Sequence, residues 1–366
     1  MKISISRDAI LNPLQMVNNV IERRQTLPIL SNVLISVKDN TLSLTGTDLE
    51  VEMINKCSIT NTEEGDTTLP GRKLLDICKA LPEGANLEIN IDGERATLKS
   101  GRSRFTLSTL SATEFPSIDA LISPFEFTIT EETFKKLIDQ TQFCMAQQDV
   151  RYYLNGLMLE LSNDQIIAVA TDGHRLAFCK ADVELSPSET RQVIIPRKAV
   201  NEISRLLDDS KDEIKVSLSE NHIRVELSDV IFTSKLIDGK FPDYQQVIPQ
   251  KCDNEVKSPR DNLHQAFNRT SVLSNEKYRG MRLQLSENQL QATVHNPEQD
   301  EAEEVIEVAY SGDEFEIGFN VAYLLDALSA IKSDKVVMQL TDSNHSCLLF
   351  GSDDIDSKYV VMPMRL

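Results

Sequence analysis

Little in this chain invites catalysis. No apolar run approaches the ~18 residues that a membrane-crossing helix requires, and the opening MKISISRDAILNPL has no apolar leader segment. The six cysteines, Cys57, Cys78, Cys144, Cys179, Cys252 and Cys347, form no CxxC pair. That speaks against a zinc site or a disulfide framework and for a reducing, cytoplasmic setting. The thirteen glycines build no GxGxxG and no GxxxxGKS or GxxxxGKT loop, and no GxSxG is present, so neither a phosphate cradle nor a serine nucleophile is expected. The five histidines include no HxH or HExxH spacing, and no metal or cofactor is predicted. Basic charge is also scarce, at 38 Lys and Arg against 57 Asp and Glu, a net of −19. The excess grows along the chain, from −3 over residues 1–122 to −7 over 123–247 and −9 over 248–366. Phosphate neutralisation dominates ordinary nucleic-acid binding, so this charge taken alone makes DNA the wrong partner.

What the chain has is a repeat. Asp48 ends LSLTGTD, Asp172 ends IIAVATD and Asn296 ends LQATVHN, at intervals of 124 residues. Phe105, Phe232 and Tyr359 lie 127 apart, and Arg72 in PGRKLLDICKAL matches Arg197 in IPRKAVNEISRLL at 125. Asn320 in FNVAYLLDAL follows 123 later. A solenoid repeats every ~20–50 residues, whereas this period has the size of a domain. Three domains are expected, at 1–122, 123–247 and 248–366, with linkers near 120–125 and 246–254.

Within each repeat, period-2 strands alternate with helical stripes. Ile3 and Ile5, then Phe127 and Ile129, mark short opening strands. Thr130 before Glu131 and Glu132 predicts a capped helix with Phe134, Leu137, Ile138 and Thr141 on its buried face. Ser258 and Pro259 are expected as N-cap and N1 of a helix carrying Leu263, Ala266 and Phe267. Hairpins follow, with turns at Lys38–Asn40, Ser162–Asp164 and Ser286–Asn288, and second helices at roughly 71–81, 196–208 and 320–331. The fold class is α+β, helices over antiparallel sheet. The outward helix positions hold Arg72, Lys73, Lys79, Lys135, Lys136, Arg197, Lys198, Arg205 and Arg269, while acidic residues concentrate in turns and tails. Solvated helix faces and loops are the plainer account of this pattern; a protein with one basic helical face and one acidic face is the sharper one.

Nine segments then carry a resemblance: LPILSNVLI (27–35), LTGTDLE (44–50), SGRSRFTLSTL (100–110), QDVRYYLNG (148–156), ATDGHRLA (170–177), FPDYQQVIP (241–249), LSNEKYRG (273–280), NPEQDEAEE (296–304) and YVVMPMRL (359–366). In register from end to end, the chain resembles the beta-subunit family of bacterial DNA polymerase III, the sliding clamps. The resemblance implies a head-to-tail homodimer of three clamp domains per chain, closed into a ring with helices lining the hole and sheets outside. Duplex DNA would thread it without sequence preference, and the charge objection falls, because a topological link needs few phosphate contacts. The polymerase III alpha subunit, the clamp loader, other polymerases and repair proteins are the implied clients, through short linear motifs.

The resemblance also assigns residues. Arg24, Arg72, Gln148, Tyr152 and Tyr153 would contact DNA. Leu154, Thr171, Gly173, His174, Arg175, Leu176, Pro242, Val247, Asn320, Tyr323 and Ser346, with the terminal Val360, Val361, Met362, Pro363, Met364, Arg365 and Leu366, would form the client groove. A strand with Arg102, Arg104, Phe105 and Leu107 would meet Val272, Leu273, Asp300, Glu301, Glu303 and Glu304 of a second copy. Some have a plainer account. Arg24 could be a surface arginine in the loop after the first helix, Tyr152 and Tyr153 packing at a strand start, and Tyr359–Val361 a last strand of the third domain. The competing functional reading is a cytosolic hydrolase using Asp172 and His174, although the recurrence of position 172 at 48 and 296 favours a turn cap; a protein-only scaffold is a third class. Gln246 and Asn344 depart from the family pattern at the client site.

Overall fold

The computed structural model describes residues 1–21, 27–59, 63–118, 121, 125–185, 190–250 and 252–365. Arg24, Leu366 and the expected boundary at 122/123 lie outside the described residues. The first repeat runs Lys2–Ser6 (β1), Arg7–Val20 (α1), Asn32–Lys38 (β2), Thr41–Thr47 (β3), Val51–Ser58 (β4), Gly65–Pro70 (β5), Gly71–Ala80 (α2), Asn86–Asp92 (β6), Arg95–Ser100 (β7) and Ser103–Ser108 (β8). The second runs Phe125–Thr130 (β9), Glu131–Asp139 (α3), Gly156–Leu161 (β10), Gln165–Thr171 (β11), Arg175–Asp182 (β12), Arg191–Pro196 (β13), Arg197–Leu206 (α4), Glu213–Leu218 (β14), His222–Glu226 (β15) and Val230–Lys235 (β16). The third runs Asn254–Pro259 (β17), Arg260–Ser271 (α5), Gly280–Ser286 (β18), Gln289–His295 (β19), Glu301–Glu307 (β20), Phe315–Asn320 (β21), Val321–Ala330 (α6), Lys335–Leu340 (β22), Cys347–Gly351 (β23) and Asp354–Val361 (β24). The order is the same three times: strand, helix, four strands, helix, three strands.

Local chemistry accounts for these elements. The side chains of Ile10, Leu14, Val17 and Val20 are buried along α1, as are Phe134, Leu137 and Ile138 along α3. Burying one such aliphatic side chain contributes ~1.5–3 kcal/mol, so the stripe fixes which face turns inward. Ser6 caps α1, its hydroxyl accepting from the Ala9 N–H at 3.2 Å. The expected cap of α5 is different: Pro259 stands at the N-cap without a side-chain bond, and Ser258 is buried in β17. The strand continues two residues further than its polarity suggests, because it pairs with β22 through Pro259↔Lys335. Between β2 and β3 the turn residues Asp39 and Asn40 have φ of 49° and 58°, the left-handed pair that a two-residue hairpin demands.

Two compact units are delimited, Met1–Glu131 with Arg205–Leu236 and Glu132–Ser204 with Ile237–Leu366. The first holds a four-stranded sheet, β1-β6-β7-β8, and an eight-stranded one, β5-β2-β3-β4-β16-β15-β14-β9. The second holds β13-β10-β11-β12-β24-β23-β22-β17 and β20-β19-β18-β21. Among the described residues all strand pairings are antiparallel, the arrangement that an alternating pattern with one buried face commonly accompanies. Each eight-stranded sheet crosses a repeat boundary, at β4–β16 with Met53↔Phe232 and at β12–β24 with Ala177↔Tyr359. Helix α1 packs on β3 and β4, where Gly46 is required: a Cβ there would lie 2.7 Å from Val17 Cγ1 and 2.8 Å from its carbonyl.

Candidate functional site

The β11–β12 turn organises the region. Thr171 Oγ donates to the Arg175 carbonyl at 2.6 Å and accepts from the Gly173 N–H at 3.1 Å. One Asp172 carboxylate oxygen accepts from the N–H of His174 at 2.9 Å and of Arg175 at 3.1 Å. The first repeat builds the same turn with Thr47 and Asp48, whose carboxylate accepts from Glu50 and Val51 at 2.9 and 2.8 Å. In the third, Asn296 accepts from Asp300 at 2.8 Å. The 124-residue recurrence is thus a turn cap. Asp172 is committed to that cap and to Arg175, and His174 is exposed, which leaves no acid–base pair and removes the structural basis of the hydrolase reading. Among the described residues no group of His, Cys, Asp and Glu could hold a metal ion. The thiols offer no nucleophile, since burial pushes Cys78 and Cys179 up to about 11.

Arg175 ties this turn to its surroundings. Its Nε meets Asp172 at 3.0 Å, Nη1 meets Asp326 at 2.5 Å, and Nη2 donates to the Phe143 carbonyl at 2.9 Å. The guanidinium lies 4.4 Å from the Tyr323 ring centroid and 5.6 Å from that of Phe143. Burial of Arg175 works against its charge, but Cys144 and the Asp326 and Asp172 carboxylates beside it together more than offset this and hold its pKa above the usual arginine value. Asp326 and Phe143 escape sequence reasoning, because they stand 151 and 32 residues from Arg175 with no shared motif.

Beside the turn lies an apolar cluster. Leu154, Leu176, Val360 and Val247 from the sequence-assigned groove pack together with Met158, Phe178, Phe241, Tyr244 and Leu348. Phe241 and Tyr244 belong to the FPDYQQVIP segment and were legible there as a motif, though not as groove walls. The end of the chain runs past this cluster. Val360 and Val361 are buried in β24, and the Met362 N–H donates to the His174 carbonyl at 2.9 Å. Met362 remains 40% exposed, and the Met364 N–H donates to the Gly318 carbonyl at 2.8 Å. Asn320 caps α6, accepting from the Ala322 N–H at 2.9 Å, one turn ahead of Tyr323. Ser346 is half-buried just before β23 and Pro242 is exposed. The departures sit in turns: Gln246 donates to Asp243 at 2.8 Å, and the Asn344 N–H to Asp342 at 2.7 Å.

The polar loop 147–153 in the same unit carries three of the residues assigned to DNA. Asp149 and Arg151 form a two-point pair at 3.0 and 2.8 Å, and Arg151 holds the Asp149 carboxyl down at about 2. Asn155 both accepts from the Asp149 N–H and donates to its carbonyl, each at 2.9 Å. This fixed base presents Gln148, with φ of 56°, and Tyr152, 57% exposed, whose ring meets that of Tyr153 edge-on at 5.8 Å. Tyr152–Leu154 is a 3-10 turn rather than the expected strand start, which falls at Gly156. In the other unit Arg72 projects from α2, paired with Asp76 at 3.3 Å and 66% exposed. Among the basic positions expected outward, Arg197 is half-buried, donating to the Met145 carbonyl at 2.8 Å.

The residues assigned to self-association sit at two sheet edges and just past the C-terminal end of α5. Arg102 and Arg104 are exposed beside β8, the edge of the first four-stranded sheet, with Phe105 and Leu107 half-buried. Glu301, Glu303 and Glu304 lie on β20, the edge of the last. Val272 is 77% exposed, and Glu304 is engaged by Arg269 of its own chain.

Three family models match in succession: the N-terminal domain of the DNA polymerase III beta subunit over residues 1–119, its central domain over 128–243 and its C-terminal domain over 245–365. The chain belongs to the DNA polymerase III beta-subunit family. It is 51% identical to the beta sliding clamps of Pseudomonas aeruginosa and of Escherichia coli strain K12, with all of each chain covered. A crystal structure of the Pseudomonas aeruginosa subunit superposes with a TM-score of 0.97 at 50% identity over the whole of both chains. A second structure from that organism, a sliding clamp bound to griselimycin, gives 0.97 at 51% over the same full coverage. The expected family and fold, three clamp domains of helix and antiparallel sheet, are therefore established. So is the general function: a sliding clamp is a processivity factor of DNA polymerase III and has no catalytic role in the holoenzyme. No described helix is long and apolar enough to cross a membrane.

Proposed function

We propose that two copies of this chain close head to tail around duplex DNA in the cytoplasm, with domain limits at 1–122, 123–247 and 248–366. The ring would slide, holding the polymerase III alpha subunit and other clients by short peptides. Its ends would join β8 of one copy to β20 of the next, since an uncovered edge carries unpaired backbone groups and a head-to-tail contact can close a ring. Arg102 and Arg104 opposite Glu301 and Glu303 supply complementary charge. Arg24, Arg72, Gln148, Tyr152 and Tyr153 would touch the backbone of the threaded DNA and read no bases.

The client reading rests on one observation: the apolar cluster at the β12–β24 seam holds Val360, and two residues on the chain leaves Met362 exposed, bonded to the equally exposed His174. Methionine adapts to varied apolar partners, which suits a groove shared by several clients. Griselimycin bound to the Pseudomonas aeruginosa relative supports a ligand-accepting surface on this fold. Removing Met362–Leu366 is expected to abolish binding of a fluorescein-labelled alpha-subunit peptide in anisotropy titrations while the dimer persists. Undiminished affinity in the truncated protein would put the groove elsewhere.

A further inference from the structure

The third repeat is the most acidic, yet one cleft in it gathers cations. It opens on the outward face of the β18–β19 hairpin, where Gly280, Arg282, Thr293 and His295 alternate with the buried Met281, Leu283, Ala292 and Val294. Asn275, Tyr278, Met364 and Arg365 complete a space of about 430 Å³. Arg282 is 42% exposed and meets Glu316 through Nε at 3.2 Å; His295 is 56% exposed and lies 3.7 Å from Glu301. Lys277 stands 5.1 Å from the Tyr278 ring, and that ring is itself 56% exposed. The cleft therefore combines an apolar wall of Tyr278 and Met364 with the basic residues Arg282, His295 and Arg365 on its lining, and Lys277 stands against the Tyr278 ring.

The chain's end connects this cleft to the client groove. Met362 is bonded to His174 beside the groove, and two residues later Met364, bonded to Gly318, lines the cleft. Resting on the client-groove reading above, we propose that the cleft is a second subsite, which takes an acidic segment flanking the apolar core of a client peptide. The core supplies the tether, so the flank binds at a high effective concentration even though the surrounding repeat is acidic. A free polyanion has no such tether and meets the same repulsion, which favours a client flank over a nucleic-acid strand.

The test is anisotropy on the full-length dimer with a fluorescein-labelled peptide spanning the clamp-contacting segment of the alpha subunit. The peptide is made as the core alone, and with three glutamates or three glutamines added at either end. Each exposed ion pair is worth about a factor of two to five, so one glutamate extension is expected to tighten binding about fivefold over its glutamine counterpart. That gain should vanish in Arg282→Gln and in 0.5 M salt, while Arg282→Gln binds the bare core as the parent does. Equal affinity of the glutamate and glutamine peptides, a gain that survives Arg282→Gln, or a gain that an unlabelled single-stranded oligonucleotide competes away overturns the subsite. A core that binds well while its flank adds nothing refutes the subsite alone; a core that does not bind refutes the groove and the subsite with it.

Discussion

Glu52 is 4% exposed and faces Thr233 across the β4–β16 seam, whereas 124 residues on the same position is Leu176, facing Val360 across β12–β24. Its carboxylate accepts from the Ile118 N–H at 3.1 Å, yet desolvation outweighs this bond and raises its pKa. A folded-state pKa above the unfolded one means that its contribution is fully present in acid and lost as pH rises through the folded value. Glu52→Gln, which keeps an acceptor for Ile118 and drops the charge, should raise the urea midpoint at pH 7. That advantage should shrink as pH falls to the usual glutamate range, and a constant difference across pH would refute the account. Arg175 is the opposite case, a half-buried charge whose polar neighbours outweigh its desolvation. Arg175→Ala should cost about 1.5–3 kcal/mol in urea unfolding, the range for hydrogen bonds to charged groups, and it should weaken client-peptide binding because Asp172 and Tyr323 lose their brace.

The turns between strands show what the repeat conserves and what it alters. Position 173 is glycine with φ of 88°, and the equivalent Leu49 is held at 79° while 40% exposed. A left-handed conformation costs a side-chain-bearing residue ~1–2 kcal/mol, partly offset in glycine by its freer unfolded chain. Leu49→Gly is therefore expected to stabilise by up to ~1 kcal/mol, and Gly173→Ala, whose Cβ would lie 3.0 Å from the Arg151 guanidinium, to destabilise by about 1 kcal/mol. Denaturant midpoints of the two variants should move in opposite directions; movement the same way would mean that the turn strain is relieved by something other than residue type. The backbone bonds flanking the turns agree in both repeats, with Lys235 N–H on the Glu50 carbonyl and Met362 N–H on that of His174, each at 2.9 Å. In the first repeat a Lys235–Glu50 ion pair at 3.2 Å stands where methionine is left uncovered in the other.

At the scale of the assembly, the proposed ring sets two expectations. Leu273→Asp, beside the 77% exposed Val272, should convert a light-scattering dimer to monomer; a parent protein that is monomeric at micromolar concentration would remove the ring. Direct DNA binding should be weak and salt-sensitive. Loss of one phosphate contact, as in Arg72→Ala, should flatten the log–log salt dependence by about 0.7–0.9. A ring once loaded should run off linear DNA and stay on closed circles, and equal retention on both would contradict sliding.

Much of this molecule is legible along the chain, because its information is periodic. Spacings of two and of 3.6 mark strands and helices from near-neighbour chemistry alone, which is why the second helices fall within two residues of expectation. The 124-residue interval likewise marks the recurring Asx turn, whose bonds reach only two to four residues. Local preference and structure part at two places: β17 absorbs Ser258 and Pro259 because β22 pairs with it, and Tyr152–Leu154 curls into a 3-10 turn ahead of β10. The groove's terminal methionines stand out in sequence as apolar residues with nothing left to cover them. Its other half does not, because Asp326, Phe143 and Leu348 reach Arg175 and the apolar cluster only through folding. Periodicity determines which face of an element is apolar; only the pairing of β12 with β24 decides that two such faces meet and that Met362 is left uncovered beside them.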